Sequence, residues 1–180
     1  MGRLIFGMMQ SLDGYIEGPS GGPGSPPGPI VSRHFLEHVR ALDGMLYGRR
    51  LYELMRYWDE DQPDWDETDH EFAHAYRPKP KWVASRSLTS VGPNAKLVQG
   101  DVCDFAARLK SERDGDIDVA GAELANLLSV AGLIDEYRLY FRPYVLGGGK
   151  PYFAGPVPPL RLVKHDAIGE DTVRLTYVPA

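Results

Sequence analysis

Short apolar runs alternate with longer amphipathic stretches along most of the chain. Residues 4–9 (Leu-Ile-Phe-Gly-Met-Met) form an apolar run of strand length, as expected of a buried strand. Phe35, Leu36, Val39 and Leu42 recur at helical spacing, which predicts a helix running to Leu42 with Ser32 as its cap. Met45–Tyr47 reads as a second short strand, halted by Gly48. From Arg50 to Tyr57, Leu51, Leu54 and Met55 fall on one side of a further helix. An acidic segment from Trp58 to Asp69 leads into a short helix over residues 69–76, which Pro78 and Pro80 stop. Lys81–Ser85 reads as a strand, and Val102–Leu109 as an amphipathic helix capped by Asp101. Ile117–Ala120 is a strand running into Gly121, with a helix to Val130. Residues 135–141 alternate, placing Tyr137, Leu139 and Phe141 on one face. Strands over 160–168 and 172–178 are joined by the turn Gly169-Glu170-Asp171.

This order of strands and helices predicts an α/β fold: a central, mostly parallel mixed sheet with helices on both faces and an antiparallel C-terminal hairpin. One segment interrupts the pattern. Residues 18–29 are Gly or Pro except for Ser20 and Ser25. The strand before them is too short to be a domain by itself. Residues 17–29 therefore read as an insertion loop within a single domain, 1–180, rather than a linker between two. No internal repeat is evident.

Composition narrows the function classes. The chain has 180 residues, 43% of them hydrophobic and 25% charged, with a formal net charge of −5. An acidic balance offers no electrostatic footprint for nucleic acid. Cys103 is the only cysteine, which excludes an internal disulfide and a thiolate metal cluster and suits a reducing cytoplasm. The N-terminal apolar run is broken too soon, by Gln10 and Asp13, to read as a signal sequence, and no apolar run is long enough to cross a membrane.

Three predicted strand ends carry candidate chemistry, and ligands of open α/β sheets bind beyond such ends. Gly48-Arg49-Arg50 combines a flexible turn, a helix start and two guanidiniums, which suits an anion; the plain alternative is a solvated basic pair. Ser85-Arg86-Ser87 offers two hydroxyls and a guanidinium for a phosphate monoester, or is a hydrophilic strand-to-loop junction. Gly121, flanked by Ala120 and Ala122 and followed by Glu123 and Leu124, lets a diphosphate approach a helix start, or serves only close helix–strand packing. It is not a GxGxxG fingerprint. If the fold gathers these ends on one rim, together they describe a site for a ligand with several phosphates.

The stretches SLDGYI (11–16), YGRRLYE (47–53), VASRSL (83–88) and the long segment from Val119 through Gly132-Leu133-Ile134-Asp135-Glu136 and Gly147-Gly148-Gly149 to Phe153 resemble the reductase domain of bifunctional riboflavin biosynthesis proteins. That domain belongs to the dihydrofolate reductase-like superfamily of three-layer folds. The resemblance runs over residues 3–178. It implies an NADPH-dependent reductase, usually a homodimer. Gly48, Arg49 and Arg50 would hold cofactor phosphates. Ser85, Arg86 and Ser87 would surround the adenosine 2′-phosphate, and Gly121, Ala122, Glu123 and Leu124 would support the diphosphate. Ser11, Asp13 and Gly14 would lie near the nicotinamide. The Gly/Pro segment would be a partly ordered lid.

The reaction implied is hydride transfer to a C=O or C=N of a small molecule, with the riboflavin precursor 5-amino-6-(5-phosphoribosylamino)uracil as the first candidate. Asp13 is the candidate proton relay, or else caps a turn. Arg33, His34, Arg142 and Lys150 are candidate contacts to a phosphorylated substrate. Three departures from the family pattern stand out. Ala120 replaces the first of two glycines, which would make any cis peptide there costly. Leu51 stands where the family often has Thr. No acid occupies the place, at about Ser32, where a folate-binding carboxylate would sit, which argues against folate. No deaminase-type zinc motif accompanies the domain, so the chain reads as a stand-alone reductase.

Two other readings compete. The departures allow a cofactor-binding or scaffold protein without turnover. His70-Glu71-Phe72-Ala73-His74 matches the H-E-x-x-H zinc hydrolase signature, but Pro78 follows closely and no third ligand is evident, so a solvated helix is the expectation and no metal is assigned.

Overall fold

The computed structural model describes residues 1–22 and 24–180. Its elements, in chain order, are β1 (Arg3–Gln10), β2 (Tyr15–Glu17), α1 (Pro29–Ala41), β3 (Gly44–Gly48), α2 (Arg49–Met55), a 3₁₀ turn (Arg56–Asp59), α3 (Glu67–Tyr76), β4 (Lys81–Ala84), β5 (Ala95–Leu97), α4 (Val102–Glu112), β6 (Asp116–Ala120), α5 (Ala122–Val130), β7 (Glu136–Phe141), β8 (Lys150–Pro151), β9 (Leu160–Ile168) and β10 (Thr172–Pro179). Eight strands form one sheet in the order β5-β4-β3-β6-β1-β7-β10-β9, and β2 pairs with β8 separately. The first six strands of that order run parallel. The sheet then closes with β10 antiparallel to both β7 and β9. The expected mostly parallel sheet with an antiparallel C-terminal hairpin is therefore present.

Side-chain alternation divides the core. Leu46 faces Leu4, Phe6, Ile117 and Val119 beneath α4 and α5. Its neighbours Met45 and Tyr47 face Val83 and residues of α1, α2 and α3. This period of two on a sheet covered on both faces explains the unbroken apolar run of β1.

Several boundaries differ from the sequence reading. The first helix starts at Pro29 rather than after a Ser32 cap. Gly28 is its N-cap, and proline at the first helical position costs nothing because that N–H has no partner in the helix. Ser32 lies in the first turn, its N–H bonded to the Gly28 carbonyl. The third helix begins earlier than residue 69 because Asp66 and Asp69 form a reciprocal capping box. Three strands escaped the sequence pattern: β2, β5 and β8 have only three, three and two residues, too few to show a period. No cis peptide occurs among the described residues, so the Ala120–Gly121 bond is trans.

Candidate functional site

The strand order contains a switch point between β3 and β6. From β3 the chain leaves through α2 and α3 towards β4; from β6 it leaves through α5 towards β7, on the other side. Connections that diverge in this way open a crevice at the carboxyl ends of the strands. Register brings the three candidate ends together there, pairing Gly48 with Ala84 and Tyr47 with Ala120. An open cleft of about 980 Å³ occupies this rim. Gly48, Arg49, Arg50, Ser85, Arg86, Ser87, Gly121, Glu123, Leu124 and Lys150, ten of the residues singled out in the sequence, line it.

Local geometry sets what each can do. Arg49 spans two strand ends: its Nε donates to Glu53 Oε1 at 2.9 Å and its Nη1 to Ser87 Oγ at 2.8 Å. Ser85 Oγ accepts from the amides of Ser87, at 3.2 Å, and Leu88, at 3.0 Å, which shapes a tight turn around Arg86. Arg50 lies 3.9 Å from Glu17, and Lys150 lies 3.3 Å from Glu123. Three of the four cleft cations thus face carboxylates. Arg86 has no ion pair or hydrogen bond among the described residues. Gly121 caps the nine-residue α5 with φ at 113°, a conformation L side chains rarely adopt.

Other predicted residues lie elsewhere. Ala122, the first residue of α5, is buried in the core. Ser11 is buried, and its hydroxyl accepts from the Tyr15 amide at 3.0 Å, closing the turn in which Gly14 has φ at 89°. Asp13 accepts from the amides of Leu146, at 3.1 Å, and Gly147, at 2.8 Å. Hydrogen bonding, first from Ser11 and then from these amides, holds its carboxyl below the usual range. Arg33 pairs with Glu71 between α1 and α3, His34 meets Tyr140, and Arg142 is buried beyond the end of β7. Of the residues proposed for substrate, only Lys150 lines the cleft.

The Gly/Pro segment borders the cleft through Glu17 and Gly22, while its Pro23 lies outside the described residues. The sequence reading missed Val98, Gly100 and Asp101 as cleft residues, because β5, which leads to them, is too short to recognise. Leu51 also lines the cleft, presenting an apolar side chain where a hydroxyl was expected.

The H-E-x-x-H segment lies on α3, where Glu71 Oε2 accepts from Arg33 at 3.0 Å and from Arg40 at 2.7 Å. Among the described residues, no group of three or more His, Cys, Asp or Glu is placed to hold a metal ion, and no helix is long and apolar enough to cross a membrane.

The family model of the RibD C-terminal domain matches residues 3–174. The uncharacterized protein YyaP of Bacillus subtilis is 31% identical over 154 residues, covering 84% of this chain and 80% of that protein. Among solved structures, a protein of Shewanella sp. PV-4, provisionally named a riboflavin biosynthesis protein, superposes with a TM-score of 0.76 at 25% identity, over 100% of this chain and 99% of its own. A Thermotoga maritima deaminase/5-amino-6-(5-phosphoribosylamino)uracil reductase matches with a TM-score of 0.70 at 12% identity, over 99% of this chain and 57% of its own. Dihydrofolate reductase of Enterococcus faecalis, complexed with NADP(H), matches with a TM-score of 0.63 at 14% identity, over 98% of this chain and 95% of its own. The last two likenesses show the fold, which is dihydrofolate reductase-like.

Proposed function

The chain belongs to the family of RibD C-terminal domains, a membership that supports an oxidoreductase role, and on that premise we propose that it is an NADPH-dependent reductase of a small molecule. The observation that carries this reading is the meeting of three strand ends around one open cleft. Its size suits a dinucleotide, since ligand sites run from about 300 to 1,000 Å³. Its donors suit phosphates: the unpaired Arg86 within a serine turn, and Arg49 held in place by Glu53 and Ser87. Gly48 and Gly121 carry no side chain, so a diphosphate can come close to the backbone at the start of α5.

When bound, the cofactor supplies a hydride from its nicotinamide to a polarised C=O or C=N. The chain's own residues bind and orient. Arg86 and the Ser85–Ser87 turn take the terminal phosphate that separates NADPH from NADH. Met8 and Ile16 present apolar walls to the cleft, and Ile16 follows directly on the turn of Ser11, Asp13 and Gly14. Glu17 and the Gly/Pro segment form the lid. Asp13 is the proposed proton relay, with its carboxylate ionised and tied to the Leu146 and Gly147 amides. The first substrate to test is 5-amino-6-(5-phosphoribosylamino)uracil, and the proposed working unit is a homodimer.

Titration of the purified protein with NADPH and with NADH, following cofactor fluorescence, tests the reading. Saturable NADPH binding that weakens with added salt supports it. Absence of binding by either cofactor sinks it and leaves the scaffold reading. NADPH binding without turnover of any carbonyl or imine substrate would mark a cofactor-binding protein instead.

A further inference from the structure

The buried cations among the described residues are Lys81, Lys110 and Arg142. The fold satisfies the first two. Lys81 donates to the carbonyls of Tyr76, Arg77 and Lys79 at 3.0, 3.2 and 3.0 Å. Lys110 donates to the Leu133 carbonyl at 3.1 Å and to Asp135 at 2.8 Å. Arg142 is different. Its side chain is 3% exposed, yet Nε and Nη1 are buried without any acceptor among the described residues. Nη2 alone has partners, the Pro26 carbonyl at 3.3 Å and Asp171 Oδ2 at 3.5 Å. A guanidinium removed from water with two nitrogens left open is costly.

The surroundings indicate what would close it. Arg142 follows β7 directly, and its amide donates to the Gln10 carbonyl at the end of β1, at 2.8 Å. It therefore sits on the same carboxyl rim as the cleft, with β1 between β6 and β7. Two strand spacings, roughly 10 Å, separate it sideways from the Gly121 end, and the register places it three residues further along the strands, roughly another 10 Å. Its partners Pro26 and Asp171 belong to two segments that meet at the first turn of α1. Pro26 lies just before the Gly28 cap, and Ile30 packs against Gly169, close to Asp171. That thirteen-residue helix has no side-chain cap and no acidic residue in its first turn. An open guanidinium and an uncapped helix start thus lie together, beside the half-exposed Asp171.

We propose that Arg142 anchors a small-anion site at the β1–β7 end of the rim, taking the carboxylate or phosphate group of the molecule to be reduced. The assignment to the substrate rests on the reductase reading; the anion site itself does not. A molecule carrying such a group must extend along the rim to reach from Arg142 to the cleft. The reductase would then select anionic substrates through a residue that does not line the cofactor cleft.

Isothermal titration with inorganic phosphate, and separately with succinate, at fixed ionic strength tests the site and tells the two sources apart by which binds more tightly. Each is repeated on Arg142→Met, Asp171→Asn and Arg86→Ala. The expected result is a site, distinct from any phosphate binding at Arg86, that weakens about tenfold or more in Arg142→Met, tightens in Asp171→Asn and persists in Arg86→Ala. NADPH binding should survive in Arg142→Met. If that variant does not fold, Asp171→Asn decides, and an unchanged affinity there overturns the site. No binding of either anion overturns it too, leaving a hydrated arginine only. Binding abolished by Arg86→Ala but not by Arg142→Met places the anion in the cleft and also overturns it. NADPH failing to bind while phosphate still depends on Arg142 sinks the reductase reading and leaves the anion site.

Discussion

A β-carbon at position 121 would stand 3.6 Å from both the Cα and the amide nitrogen of Gly48. The ends of β3 and β6 thus meet backbone to backbone at the floor of the cleft. The distance is an ordinary contact, so space does not forbid a side chain at 121; its φ of 113° does. Gly121→Ala is expected to cost about 1–3 kcal/mol of stability. Gly48 has φ at −71°, and its added β-carbon would meet only Ala120 O at 3.8 Å and Leu124 Cβ at 3.9 Å. Gly48→Ala should cost less than about 1 kcal/mol. Urea midpoints of the two variants check the difference, and equal losses would refute the role of φ.

Arg86 should decide between the two nicotinamide dinucleotides. It has no ion pair to break, whereas Arg49 is already held by Glu53 and Ser87. Arg86→Ala is expected to weaken NADPH about tenfold or more, the worth of one charge-assisted phosphate contact, and to leave NADH nearly unchanged. Fluorescence titration of both cofactors reads this directly. Equal weakening of both would place Arg86 away from the distinguishing phosphate.

Stability should fall with pH through His34. Burial, and next the charge of Arg174, lower its pKa from 6.5 to about 4. His38 and Arg138 oppose its charge as well, and Asp166 favours it. The folded protein therefore keeps the ring neutral where the unfolded chain takes up a proton. Stability present above pH 6.5 is lost progressively down to about pH 4. Denaturant midpoints between these limits should decline less steeply in His34→Phe than in the native protein. Parallel profiles would show that His34 titrates normally.

Asp13 separates two roles by experiment. Its carboxylate joins the Ser11–Gly14 turn to the glycine-rich loop at Leu146 and Gly147. Asp13→Ala should speed hydrogen exchange at these two amides, and Asp13→Asn should restore part of the protection. A proton relay adds a second effect: a shifted pH profile of kcat in Asp13→Asn with the loop still protected. Without that shift, Asp13 is a clamp alone.

Much of the architecture was legible because hydrophobic periodicity is local. The alternation in β7, the helical stripe of α1 and the glycine turn between β9 and β10 are each set by neighbours within a few residues. The same holds for the candidate chemistry at Gly48, Ser85 and Gly121, since a glycine or serine at a strand end is visible without a partner. The start of α1 and the strands β2, β5 and β8 were not legible, the first because proline at a helix start replaces a side-chain cap, the others because they are too short to repeat. What only the tertiary structure decided is adjacency. β6 enters between β3 and β1, so strand ends far apart in sequence share one cleft. Asp13 finds its amide donors 133 and 134 residues away. Arg142, one basic residue among twenty in the sequence, becomes exceptional only once burial removes its water and the fold supplies too few acceptors. Pattern along a chain records which face each residue turns to the core; which groups then meet is settled by long-range strand pairing, and no local period encodes it.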